Sequence, residues 1–223
     1  MHLPFIVIDL CARAALADGE TRWLTRALER GDADEALQIE LTRALGRSHD
    51  PAALDPLMLQ LANVRTRVDT IAALAQLDDA RTLPTLLMWV GAEPYVTARA
   101  RMVGLVAQLG RNDVPATRQA LAQLASSERE PPVMAALLPA LHTLGDGAVL
   151  DLALHSPKAV AAGELWLAGS GTGSVDVAVG SAGQRVQLAD GIARVATARA
   201  GRVRLRVVDG DARPELAFSR RAP

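Results

Sequence analysis

At 223 residues, half of them apolar, the chain has the length for one or two domains and the content for a real core, which excludes global disorder. A net charge of −1 supplies no long-range field for nucleic acid or an anionic membrane, so neither is expected as a partner. The only aromatics are Phe5, Trp23, Trp89, Tyr95, Trp166 and Phe218, so Leu, Val and Ala must fill the core, which suits close-packed helices better than an aromatic-rich enzyme pocket.

In chain order, the opening Leu3-Pro4-Phe5-Ile6-Val7-Ile8 is apolar, but Asp9, Arg13 and Asp18 interrupt it well short of a bilayer span. Only His2 precedes it, not the basic start of a signal peptide, and the compartment stays open. An apolar start this abrupt is what a piece of a longer protein shows when it packs on a preceding unit. Cys11 is alone, so neither an intrachain disulfide nor a thiolate metal cluster is expected.

From about Thr21 to His155 apolar residues recur at helical spacing, as in Ala36, Leu37, Ile39, Leu41 and Leu45, or Leu57, Leu59 and Leu61 followed by Val68, Ile71, Leu74 and Leu77. Breaks are expected at Gly31-Asp32, Gly46 to Pro51, Asp78-Asp79, Gly91 to Pro94, Gly110 to Pro115, Glu130-Pro131-Pro132 and Gly145-Asp146-Gly147, with glycine as left-handed C-cap and Asp or Ser as N-cap. Gly104, inside a helix, is expected to mark a close approach of helices.

One phrase recurs through these helices: Ala44-Leu45-Gly46, Ala73-Leu74-Ala75-Gln76-Leu77, Val106-Ala107-Gln108-Leu109-Gly110 and Leu141-His142-Thr143-Leu144-Gly145. The offsets are 29 from Leu45 to Leu74, 32 from Leu77 to Leu109 and 35 from Leu109 to Leu144. With Asp50-Pro51-Ala52-Ala53-Leu54, Leu77-Asp78-Asp79-Ala80 and Leu83-Pro84, these residues resemble the HEAT-like repeat family in its short, bilin-lyase-type form, over residues 20–155. The resemblance implies an α-solenoid of helical pairs; it names no substrate, because such arrays serve as scaffolds, adaptors and enzyme accessory regions alike.

Beyond Ala161 the period changes from 3.6 to 2. Leu165 and Leu167 flank Trp166, Val175, Val177 and Val179 alternate with Asp176 and Ala178, and Val203, Leu205 and Val207 alternate with arginines. Turn signals at 169–173, 180–183, 190–191, 201 and 209–210 separate about six short strands, an antiparallel sheet or small sandwich that would cap the solenoid end. The expected fold is therefore α+β, with a HEAT-like helical array over 1–160 and a β-rich module over 161–223.

Few residues suggest chemistry. The run Gly169-Ser170-Gly171-Thr172-Gly173-Ser174 lacks the Lys-Ser/Thr ending of a phosphate cradle and precedes a strand, so it reads as a hairpin loop or a flexible connection. His2, His49, His142 and His155 form no close pair at metal-ligand spacing. Glu128-Arg129-Glu130 before Pro131-Pro132 reads as a helix start rather than an acid-base pair. No Ser/His/Asp grouping or dinucleotide fingerprint emerges. From Gly163 onward nine arginines oppose six acids, +3, which leaves fifteen cations against nineteen acids, −4, before it.

The expected function is a non-catalytic protein-interaction or scaffold module without cofactor, metal or catalytic residues. The alternatives are the C-terminal accessory region of a larger, sulfatase-like bacterial hydrolase, whose upstream domain would then be the partner, and a carbohydrate- or polyanion-binding β module. Trp166, Arg202, Arg204 and Arg206 are the candidate contacts for a ligand or partner.

Overall fold

A computed structural model of the chain describes residues 21–30, 33–146, 148–152, 159–160 and 162–221. His2, the apolar stretch 3–8, Cys11, the break at Gly31-Asp32 and His155 lie outside the described residues. Helices run as far as Thr143 and antiparallel strands follow, with the first long strand starting at Gly163. Packing divides the chain into two compact units, Met1–Asp113 and Val114–Pro223, so the last two helices belong to the same unit as the strands.

In the first unit, α1 (Arg22–Glu29), α2 (Glu35–Arg47), α3 (Leu54–Gln60), α4 (Arg67–Leu77), α5 (Leu83–Val90) and α6 (Val96–Leu109) follow one another. Aspartates start three of them: Asp34 Oδ1 accepts from Leu37 N at 2.8 Å, and Asp50 and Asp79 each cap a single 3-10 turn, at Pro51–Ala53 and Ala80–Thr82, that feeds α3 and α5. The 29-residue offset between Asp50 and Asp79 is thus a structural repeat as well as a textual one. The stops differ from expectation. Gly91 and Gly110 stay right-handed, with φ −77° and −66°, while the left-handed positions fall to His49 and Asp78, at φ 52° and 54°. Short polar side chains tolerate that conformation better than other non-glycine residues.

Helix α2 packs on α4 and α4 on α6, while α1, α3 and α5 each pack on the helix that follows. Leu41, Leu45, Leu57, Leu61, Ile71, Leu74, Leu86, Met102 and Leu109 are buried between them. The close approach occurs at Gly46, where a Cβ would stand 2.6 Å from Ala73 Cα. Gly104 does not mark one: it is exposed, and a Cβ there would meet nothing within 4 Å.

The second unit contains α7 (Val114–Ser127), α8 (Pro131–Thr143) and eight strands: β1 (Val149–Asp151), β2 (Ala159–Val160), β3 (Gly163–Ser170), β4 (Gly173–Val179), β5 (Ala182–Leu188), β6 (Ile192–Thr197), β7 (Gly201–Val207) and β8 (Arg213–Arg221). They form two antiparallel sheets, β1-β8-β3-β6 and β2-β7-β4-β5, each with three long strands and a short one at the edge. Every connection except β4–β5 passes from one sheet to the other, which is the strand order of a jelly roll.

Alternation builds the core: Val175, Val177 and Val179 of β4 and Val203 of β7 point inward and meet Leu165 and Leu167 of β3. Helix α8 packs on β1, β3, β6 and β8, so the first sheet is covered on both sides. That is why β3 is buried continuously from Glu164 to Ala168. The glycine-rich run is a seam where two chain crossings touch. A Cβ on Gly169 would lie 2.0 Å from Arg213 O, and one on Gly171 or Gly173 would lie 2.2 Å from Asp211 O or Asp209 O.

Candidate functional site

Within the first unit, large apolar side chains stand in solvent at repeating places. Leu59 in α3 is 72% exposed and Met88 in α5 is 73% exposed, and the two are 29 residues apart, the offset that relates their helices. Val64 in the α3–α4 turn and Tyr95 in the α5–α6 turn are also exposed, 49% and 52%. Leu59 does not share the buried face of Leu57 and Leu61, because two residues along a helix is a turn of about 200°.

A buried ion pair joins the α3–α4 and α5–α6 turns. Arg67, at the start of α4, places Nη1 2.9 Å from Glu93 Oε2 in the α5–α6 turn, with the Glu93 side chain 1% exposed. Arg67 Nε donates to Leu61 O at 2.7 Å, Glu93 Oε1 accepts from Tyr95 N at 3.0 Å, and Arg99 Nη1 donates to Glu93 O at 2.6 Å. The Arg67 guanidinium lies 5.9 Å from the centroids of both the Trp89 and Tyr95 rings. Successive helix pairs are therefore clamped to each other at the turns that carry Val64 and Tyr95. Asp50 is likewise held: the Thr21 hydroxyl donates to it at 2.5 Å and, with the Ala52 amide, keeps its carboxyl below the usual range.

In the second unit the sequence candidates separate. Trp166 is fully buried, with Arg194 and Arg220 at 5.6 and 6.0 Å from its ring, so it is a packing residue with no face for a sugar. Beside it, Glu164 receives Arg129 Nη1 at 2.5 Å, Arg220 Nε at 2.7 Å and Arg194. Burial pushes the Glu164 carboxyl up, and the hydrogen bonds from Arg220 and Arg194 outweigh it, leaving the group below its ordinary value. Arg220 also donates to Ala125 O at 3.0 Å, tying β8 to the last turn of α7. Glu128 Oε1 accepts from the amides of Arg129 and Glu130, a helix-start role.

Arg202, Arg204 and Arg206 stand exposed on one face of β7. On the same sheet Arg185 Nε donates to Asp176 Oδ1 at 2.7 Å, which holds that carboxyl below its usual range. Elsewhere in this unit a hollow of about 500 Å³ is lined by His142, Asp151, Asp190 and Glu215 among others, with His142 Nε2 3.8 Å from Asp151 Oδ2. Among the described residues no three His, Cys, Asp or Glu side chains converge as a metal site, and no helix is long and apolar enough to cross a membrane.

The helical spacing groups Leu59 with Leu57 and Leu61, but the structure buries those two and exposes Leu59; Met88, one repeat offset later, is not singled out by that spacing, although the offset carries the signal. Set against protein-family models, curated proteins and solved structures, the chain matches none of them.

Proposed function

We propose that the first unit is a protein-interaction module, a short array of HEAT-like helix pairs whose edge of Leu59, Val64, Met88 and Tyr95 receives an apolar segment of a partner protein. The carrying observation is the repetition: Leu59 and Met88 occupy equivalent, largely exposed positions in successive pairs. A single exposed leucine needs no explanation, whereas a repeated one on a clamped edge is what a binding surface requires. Covering either side chain would contribute about 1.5–3 kcal/mol. The Arg67–Glu93 pair keeps the edge ordered before binding, which reduces the entropic cost of association. The row of α2, α4 and α6, each packed on the next, supports the solenoid reading.

Photo-crosslinking tests this reading. A benzophenone amino acid placed at position 59, 88 or, as control, at exposed Arg101 is activated in cells producing the full chain. Positions 59 and 88 should trap the same protein and position 101 should not, and the purified protein should then bind directly. Trapping that is equal at all three positions, or absent at 59 and 88, contradicts the reading.

A further inference from the structure

We propose that the outer face of the β2-β7-β4-β5 sheet binds an extended acidic segment of a protein, with alternate Asp or Glu side chains meeting Arg202, Arg204 and Arg206. These arginines occupy alternate positions of β7, so their side chains leave the same face at a spacing of about 6.8 Å. An extended peptide presents its alternate side chains at the same spacing, which brings three carboxylates into register with three guanidinium groups. Arg206 stands opposite Asp176, whose carboxylate is bonded by Arg185 and also feels the Arg206 charge, and Arg204 makes a long contact, 3.4 Å, to Gly180 O.

The face already shows this chemistry once. Arg185 and Asp176, opposite each other on β5 and β4, pair through two contacts of 2.7 and 3.2 Å. Next to that pair, Ala178 and Gly183 stand opposite each other and leave a shallow hollow of about 510 Å³. Ala178 is also the β4 partner of Arg204, so the hollow runs alongside the middle of the ladder. It provides room for a second backbone. At the end of the ladder Val208, 40% exposed, offers an apolar contact to the next alternate residue, two positions beyond the third carboxylate. Strands β4, β5 and β7 contain no aromatic residue, so neither bases nor sugar rings find a stacking platform there, and this favours a carboxylate-bearing peptide over single-stranded nucleic acid or a glycan.

The test is fluorescence anisotropy of a labelled Glu-Ser-Glu-Ser-Glu-Ser-Val peptide against the full chain at low salt. Saturable binding should weaken about fivefold with Arg204→Glu, consistent with an exposed ion pair, and further when Arg202→Glu is added. The milder Arg204→Gln should weaken it less, and Arg111→Glu, an exposed arginine of the first unit, should leave it unchanged. Melting curves confirm that each variant is folded. The proposal is overturned if binding does not saturate, if Arg204→Glu binds as tightly as the parent, or if an isomer with contiguous glutamates binds equally. It is also overturned if a heparin hexasaccharide or a single-stranded oligonucleotide of equal charge displaces the peptide at lower concentration, which would assign the face to that polymer.

Discussion

Two glycines in the helices have opposite meanings, and substitution separates them. Gly46 lets α2 approach α4 so closely that a methyl group would collide with the Ala73 backbone. Gly46→Ala should therefore cost about 1–3 kcal/mol, the range for overpacking. Gly104 lies mid-helix in open space, so Gly104→Ala should stabilise by up to about 1 kcal/mol. Urea denaturation of both variants checks the pair; the same sign for both would mean that the α2–α4 contact is wrong. Sequence pattern places Gly104 inside a helix but Gly46 at a helix break, and the structure instead puts Gly46 inside α2; its close packing depends on a neighbour 27 positions away. Trp166 teaches the same point: its neighbours gave a strand, yet its burial depends on a helix and two arginines from other parts of the chain.

At the scale of elements, local chemistry was legible and long-range pairing was not. Aspartate caps, alternating valines and the Asp190-Gly191 turn all act over a few residues, and these predicted the helix starts and the strands. Strand order depends on partners such as β1 with β8, for which no periodicity exists. The carboxylate that joins α7, α8 and the first sheet is equally non-local, since Arg129, Arg194 and Arg220 reach Glu164 from three elements or turns.

Glu164 has a lower carboxyl pKa in the folded protein than its ordinary value of 4.5, so its contribution is complete above that pH and lost as pH falls through the lowered value. Glu164→Gln should destabilise by about 3 kcal/mol at pH 7, near the low end for removing one partner of a buried pair because Arg129 and Arg194 are half exposed. The difference from the parent should shrink as pH falls below the ordinary carboxyl value and through the lowered one. Denaturant melts across that range measure it, and a difference constant with pH would contradict the clasp.

At the scale of the whole molecule, two compact units carry different surfaces: an apolar edge on helices in the first and an arginine ladder on a jelly-roll sheet in the second. The recurring Ala-Leu phrase announced the helical repeats, but it continues into α8, which packs on the strands, so the repeat and the compact unit end at different places. The positions proposed for binding are the ones the repeat leaves uncovered. The most direct measurement is therefore made on the double variant Leu59→Ser/Met88→Ser, with its melting temperature and its affinity for the crosslinked partner determined side by side. Because both side chains are exposed, the melting temperature should stay within about 2 °C of the parent, while affinity should fall at least tenfold. Unchanged affinity would contradict the assignment of this edge as the binding surface, and a collapse of the melting temperature would mean that these residues belong to the core instead.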